Sequence, residues 1–489
     1  MISEQLFKAR AYETEKEKEI APDERPAYHL SARVGWMNDP NGLCLYGGKY
    51  HLFYQYNPYR TQWGPMHWAH AVSSDLLRWE TLPCALAPDM PYDNGGGCFS
   101  GNAIELKDGR HLLMYTGVRF EEHEDGTRTE YQTQCLAIGD GVDYEKLENN
   151  PVLTDADLPE GASKTDFRDP KVWLGKDGVY RAVVASRPAD GSGQILLFKS
   201  EDALTWRYEK KLAENRCRYG RMWECPDFFV LDGKGVLMVS PQDMRGEEPH
   251  FHPGNGNIAL VGAYDEATDT FTEEGIQVID DGTDFYAMQS VLAEDGRRLM
   301  IAWMQNWDIQ EHLPGEKWFG QMTLPREISV KDGRLFQQPA REVETLRVRT
   351  VSHKDVKVEG CTALPGVCGR YADMEIAVRG GYDRFTVNLA QDEQHRTTLT
   401  YDAKAGLLTL DRNQSGTRRA FVHSRSCVFS AGETLRLRVI LDRNSVEVFA
   451  GEGEKTMTMT LCTPVGADGI SFEAAGEAVM DVTLHELKH

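Results

Sequence analysis

The sequence predicts an all-β fold, a five-bladed β-propeller followed by a C-terminal β-sandwich, and three observations carry that expectation. From His29 onward the chain breaks into runs of four to seven residues rich in Val, Leu, Phe, Tyr and Trp, such as Lys49 to Tyr54, His111 to Thr116, Val179 to Ala185, Gln194 to Lys199, Gly235 to Val239 and Arg298 to Trp303. Six Gly-bearing hairpin turns punctuate them: Tyr46-Gly47-Gly48-Lys49, Lys107-Asp108-Gly109-Arg110, Lys176-Asp177-Gly178-Val179, Leu231-Asp232-Gly233-Lys234, Glu294-Asp295-Gly296-Arg297 and Lys331-Asp332-Gly333-Arg334. Their spacing of roughly 40 to 70 residues marks repeated units, and about 310 residues of four-stranded units fit roughly five blades. Composition then shifts near residue 340. Residues 1 to 340 hold 35 basic and 55 acidic side chains, net −20, whereas residues 341 to 489 hold 19 and 21, and all ten Trp lie at or before Trp318. The chemistry is therefore expected in the first, Trp-rich part.

In chain order, residues 1–28 are an N-terminal helical segment whose alternating charges end at Pro22 and Pro26, with a bracing or covering role outside the main domain. The propeller is expected over 29–337. Within it Ser74-Asp75-Leu76-Leu77-Arg78-Trp79 and Ser200-Glu201-Asp202-Ala203-Leu204-Thr205-Trp206 read as equivalent edges of two blades. Residues 338–352 read as a short helical linker. Over 353–489, alternating strands such as Asp383 to Leu389, Leu407 to Asp411, Thr434 to Leu441 and Ser445 to Phe449 predict a sandwich with no catalytic constellation of its own.

At 489 residues, with a formal charge of −22, the chain is long enough for two cores and lacks the basic footprint that phosphate backbones and anionic membranes require. The expected partner is a small carbohydrate, with no nucleic acid and no membrane; oligomeric state stays open. Ten Cys without a Cys-x-x-Cys spacing, an N-terminus without an apolar h-region and no run of 18 or more apolar residues predict reduced thiols and a cytoplasmic protein.

Three acids stand in aromatic or Pro-bearing settings: Asp39 in Trp36-Met37-Asn38-Asp39-Pro40-Asn41-Gly42, Asp169 in Phe167-Arg168-Asp169-Pro170, and Glu224 in Trp223-Glu224-Cys225-Pro226. Glycoside cleavage needs one carboxylate to attack the anomeric carbon and a second acid to protonate the leaving oxygen. Two carboxylates near Glu224, and burial against Trp223, are expected to raise its pKa. Trp36 offers a flat face for a sugar ring and an N–H donor.

These motifs resemble those of the family 32 glycoside hydrolases, the β-fructofuranosidases that include invertases, exo-acting fructan hydrolases and bacterial sucrose-6-phosphate hydrolases, over most of the chain from about His29. The resemblance implies a five-bladed propeller plus sandwich, with Asp39 as nucleophile on the fructosyl C2, Asp169 as transition-state stabiliser and Glu224 as acid/base. It also implies sugar contacts from Trp36, Asn38, Gln55, Trp63, Phe99, Ser100, Tyr286 and Trp303. Retention of configuration predicts carboxyl groups of Asp39 and Glu224 about 5 to 5.5 Å apart.

Cys225 is read either as tuning Glu224 or as buried packing, and Arg168 as orienting Asp169 and gripping a hydroxyl or as a structural ion pair. Asp227, three residues past Glu224, points to the other face of a regular strand. His67 with His70, and His250 with His252, lack a third ligand at fitting spacing, so neither a metal nor a cofactor is expected. A fructosyltransferase, an inverting propeller hydrolase of arabinan or xylan, and a fructan-binding protein without turnover remain alternatives. The leaving group is not read by these motifs; Arg119, Arg128, Arg187, Arg218, Arg221 and Arg245 are the candidate contacts for a phosphate on it.

Overall fold

The computed structural model describes residues 2–309, 315–416 and 422–489. Among these residues, strands dominate, and those up to Pro339 form five separate sheets, each built on four antiparallel strands taken in chain order. The leading strands are Gly35–Tyr46, Gly97–Glu105, Ala162–Leu174, Trp223–Leu231 and Tyr286–Leu292. Each turns into its neighbour through one of the Gly-bearing hairpins, at residues 46–49, 107–110, 176–179, 231–234 and 294–297. The sixth such turn, 331–334, joins the two outer strands of the fifth sheet. The leading strands touch one another in cyclic order, the first with the second and so on, and the fifth again with the first. The ring is closed by sequence-distant pairing: Trp318–Phe319 adds to the first sheet in parallel beside Gly35 and Trp36, and Ser31 bridges Gln321.

All five leading strands carry a β-bulge at the same level. Residues 38 and 39 oppose Gln55, Ser100 is the extra residue of the second strand, 169 and 170 oppose Val184, 225 and 226 oppose Val239, and 287 and 288 oppose Ala302. Pro40, Pro170 and Pro226 fall in or beside three of these bulges, where a residue without an N–H costs the ladder least. A bulge re-aims the side chains next to it. Those of the first four strands bring Asp39, Ser100, Asp169 and Glu224 to one place, while Ala287 and Met288 of the fifth stay buried in apolar clusters.

The two Ser-x-Asp segments prove equivalent in detail. Asp75 accepts from Ser73 Oγ and from the backbone N–H groups of Leu77 and Arg78; Asp202 accepts from Ser200 Oγ and from those of Leu204 and Thr205. Each leads into the outermost strand of its sheet, in the first and the third.

The N-terminal helix, Glu4–Lys16, is capped by Ser3, whose hydroxyl accepts from the Leu6 N–H. It lies along the outermost strand of the first sheet, Glu80–Leu86. Glu13 Oε1 accepts from Cys84 N (2.9 Å), Arg10 Nε donates to Cys84 O (2.9 Å), and Arg33 holds Glu13 from the far side (2.9 Å). The helix thus satisfies backbone groups that an edge strand would leave open.

A 3-10 turn, Arg341–Leu346, follows the fifth sheet. Residues 347–352, expected in the linker, belong to strand Arg347–Lys357, which pairs with Val479–Leu487 and packs Val351 on the second core. Two six-stranded sheets face each other across that core, Met374, Ile376 and Val378 on one side and Phe385, Val387 and Leu389 on the other. No helix among the described residues is long and apolar enough to cross a membrane.

Candidate active site

A cavity of about 440 Å³ opens at the level of the bulges, and Asp39, Asp169 and Glu224 line it together. Asn38, Gln55, Ser100 and Arg168 complete its deeper wall, with Trp63 and Phe99 edge to face (5.9 Å) on one side of the opening. Residues up to 186 positions apart are in contact here: the Cys225 thiol donates to Asp39 Oδ2 at 3.4 Å.

Each carboxylate has its own fastening. Asp39 Oδ1 accepts from Asn38 Nδ2 (3.1 Å) and Oδ2 from Ser100 Oγ (2.7 Å). Asp169, in the left-handed region at φ 65°, has its N–H donated to Thr116 Oγ1 (3.0 Å) and its Oδ2 held by the Cys225 N–H (3.0 Å). Glu224 Oε1 accepts from Arg168 Nε (3.0 Å), and Oε2 from the Tyr286 hydroxyl (2.7 Å).

Burial raises the pKa of Asp39, and the charge of Glu224 adds to it; the bonds from Ser100, Asn38 and Cys225 oppose the rise. Asp169 is pushed up to about 7, first by burial and then by Glu224 and Asp39, against the pull of Arg168. Burial, with three carboxylates around it, drives the Cys225 thiol well up, so it stays a neutral S–H donor.

Three residues expected to touch the sugar lie behind the wall instead. Trp36 is buried, its ring stacked on Phe319 (4.9 Å, 19°) and near-parallel to Trp307 (6.3 Å, 22°), so no face is left for a sugar. Its indole N–H donates to Asn38 Oδ1 (2.7 Å) and so orients the amide that holds Asp39. Tyr286 and Trp303 are buried in the same cluster, as is Cys225. The reason is the ring closure at Trp318–Phe319, which roofs the first bulge with aromatic side chains.

Arg168 is held in ion pairs, the second of its two expected readings. Its closest approach to Asp169 is 3.9 Å, while it bonds Glu224 and, through Nη1, Asp166 Oδ1 (2.9 Å) and Gln132 Oε1 (3.3 Å). Asp227 points away from the cavity, accepting from the Ser290 N–H (2.5 Å) and pairing with Lys171 (3.1 Å). His70 meets His51 (2.9 Å) and His252 meets Glu248 (2.9 Å); among the described residues no group of three or more His, Cys, Asp or Glu side chains is arranged to hold a metal ion.

The remaining wall was not read from the sequence: Glu130, Gln132, Thr165, Asp166, Gln242 and Trp307, with Arg187 known only as one of six possible contacts. Asp166 did carry a signal. It stands two residues before Arg168, hence on the same face of an extended strand.

Comparison with known proteins agrees with this geometry. Residues 29–339 match the model of the glycosyl hydrolases family 32 N-terminal domain and residues 342–488 that of the family 32 C-terminal domain. A raffinose invertase of Escherichia coli is 38% identical over 461 residues, covering 93% of this chain and 93% of that protein. A sucrose-6-phosphate hydrolase of Zymomonas mobilis is 34% identical, covering 97% and 94%. A family 32 β-fructofuranosidase of Bombyx mori, solved as a variant in complex with sucrose, superposes with a TM-score of 0.84 at 32% identity over 99% of this chain and 98% of that one. With the two family models together taking up residues 29–339 and 342–488, and Asp39, Asp169 and Glu224 converging on one cavity, the chain belongs to glycosyl hydrolase family 32.

Proposed function

We propose that this cavity hydrolyses terminal, non-reducing β-D-fructofuranosyl residues from sucrose and related fructosides, with retention at C2. The chain is a β-fructofuranosidase. The observation that carries the reading is the meeting of Asp39, Asp169 and Glu224 on one cavity wall. In the first step Asp39 attacks C2 while Glu224 gives its proton to the glycosidic oxygen, so the C2–O bond breaks and a fructosyl ester forms on Asp39. Water then adds to C2, Glu224 takes the water's proton, and the ester bond breaks to free fructose and the Asp39 carboxylate.

Asp169 faces the fructosyl hydroxyls and steadies the charge that grows on the ring in the transition state. Tyr286 and Arg168 position Glu224; Asn38 and Ser100 position Asp39. The cyclic contacts of five leading strands support a five-bladed propeller for the catalytic part. Buried free thiols at Cys44, Cys84, Cys98, Cys135, Cys225 and Cys427 favour a cytoplasmic setting.

The test is fructose release from sucrose, with Asp39→Asn as blank and methanol added as a competing acceptor. Release by the wild type alone, together with methyl β-fructoside, is the expected result. Methyl α-fructoside would overturn retention, and equal release by the blank would overturn the role of Asp39.

A further inference from the structure

The exposure of the cavity wall sets the direction in which a fructoside lies. Asp39 and Asp169 are buried, Glu224 is slightly exposed, and Glu130, Thr165, Arg187 and Gln242 are only half-buried. A fructosyl unit held against Asp39 therefore extends its leaving group past Glu224 toward the last four. That mouth carries charge of a particular kind. The cavity wall bears five carboxylates, those of Asp39, Glu130, Asp166, Asp169 and Glu224, against two guanidinium groups, Arg168 and Arg187.

Both guanidinium groups are already paired with carboxylates of the wall. Arg168 spends its N–H groups on Glu224, Asp166 and Gln132. Arg187, whose side chain is 34% exposed, is turned onto Asp166 Oδ2 through Nε (2.9 Å) and Nη2 (2.5 Å). Of the other arginines that might read a phosphate, Arg221 and Arg245 stand outside the cavity wall and three are engaged elsewhere. Arg119 lies over the Tyr131 ring (4.1 Å), Arg128 over that of Phe120 (4.0 Å), and Arg218 pairs with Glu273 (3.1 Å). Recognition of a phosphate dianion needs a free fork of N–H donors, and a wall with excess carboxylates repels it. A neutral hexose finds what it needs in the same place: the second carboxylate oxygen of Glu130, whose Oε1 accepts from Gln132 Nε2 (2.7 Å), and the amide of Gln242.

We propose that the mouth of this cavity reads the leaving group as an uncharged sugar and turns away one carrying a phosphate, with Glu130 and the Asp166–Arg187 pair as the discriminating residues. The proposal rests on the fructosidase reading above and names the substrate class within it. Sucrose and neutral fructosides are the substrates, and the uptake step that supplies them delivers them without phosphorylation.

The experiment compares kcat/KM for fructose release from sucrose and from sucrose 6-phosphate by the full-length protein, at low salt and with about 0.5 M NaCl, and repeats it with Glu130→Gln. The ratio between the two substrates is the readout, so a partly misfolded variant does not distort it. Sucrose is expected to be preferred at least tenfold at low salt, about 1.4 kcal/mol of discrimination. The preference should shrink threefold or more in Glu130→Gln, and also in salt for the wild type. Equal efficiencies, or a preference for the phosphate, would overturn the proposal, as would a sucrose preference that neither the variant nor salt moves. Failure to release fructose from either substrate and from short fructans would remove the fructosidase reading, and this proposal with it.

Discussion

Two buried clusters of carboxylates lie in this molecule, and they are built to opposite ends. At the cavity, Asp39, Asp166, Asp169 and Glu224 surround the single guanidinium of Arg168, with Arg187 reaching in only as far as Asp166. Between the two domains, Asp280, Asp442 and Glu447 are matched by Arg326 and His29. Arg326 bonds Glu447 Oε2 (2.6 Å) and Asp280 Oδ2 (2.9 Å), while His29 bridges Asp442 Oδ2 (2.6 Å) and Glu447 Oε1 (2.9 Å). Backbone N–H groups of Ala27 and Leu324 fill further lone pairs.

Burial alone would raise the carboxyls of Asp39, Asp169, Asp442 and Glu447. At the interface, His29 pulls Asp442 below its ordinary range, and Arg326 and His29 do the same for Glu447. At the cavity the cation supply falls short, and Asp39 and Asp169 stay raised. The same residue types thus hold two domains together in one place and remain under electrostatic pressure in the other. Pressure of that kind is what a site pays in stability for charge it can put to use in a reaction.

The comparison would break most visibly at Asp169. Asp169→Asn should lower turnover of sucrose on the order of 10³-fold and at the same time raise resistance to urea. The ordinary carboxyl value of 3.8 against about 7 in the folded state means that ionisation costs the folded protein stability, a cost that begins above pH 4 and is complete just above pH 7. The variant's gain should therefore be under half its full size at pH 5 and reach about 4 kcal/mol at pH 8. A urea midpoint lowered at both pH values would show that the cavity carboxylates support the fold as the interface ones do.

Arg326→Leu is the converse. It leaves Glu447 and Asp280 buried without their shared cation and should cost about 3–5 kcal/mol of unfolding free energy, with kcat/KM for sucrose changed less than about threefold at a temperature where the variant is folded. Should the leucine variant fail to fold, Arg326→Lys retains the charge and should lose less than half as much. A large loss of activity with unchanged stability would reverse the two assignments.

How much of this was legible in the sequence follows from how local each feature is. The strands and the five sheet-opening turns were, because period-two alternation and Gly-bearing turns are short-range signals. The three acids were, because Asp39-Pro40, Asp169-Pro170 and Glu224-Cys225-Pro226 write the bulges into the chain. Trp36 was misread because its stacking partners, Trp307 and Phe319, arrive from the far end of the ring and leave no mark near residue 36. Of the two readings of Arg168 the ion pair holds, but its partners left no local mark: Asp169 is its neighbour in sequence, Glu224 in space. The interface cluster was missed altogether, since the second domain's near-zero net charge conceals carboxylates whose cations sit on the first.

The smallest expected effect concerns His29 and sharpens the comparison through pH. Burial would lower the pKa of this imidazole, but hydrogen bonds and charge from Asp442 and Glu447 outweigh it and carry the value from 6.5 to about 9. A raised folded-state value means that the folded protein holds a proton the unfolded chain has released, so the contribution of His29 is complete below about pH 6.5 and is lost as pH rises through 9. The span corresponds to about 3 kcal/mol. His29→Gln, which can still hydrogen-bond but carries no charge, should therefore be less stable than the wild type by about that amount at pH 6 and nearly equal to it at pH 10. Urea midpoints of the two proteins at those pH values check the claim. A gap that persists undiminished at pH 10 would mean that His29 acts through packing and neutral hydrogen bonds, and that the interface carboxylates owe their ionised state to Arg326 alone.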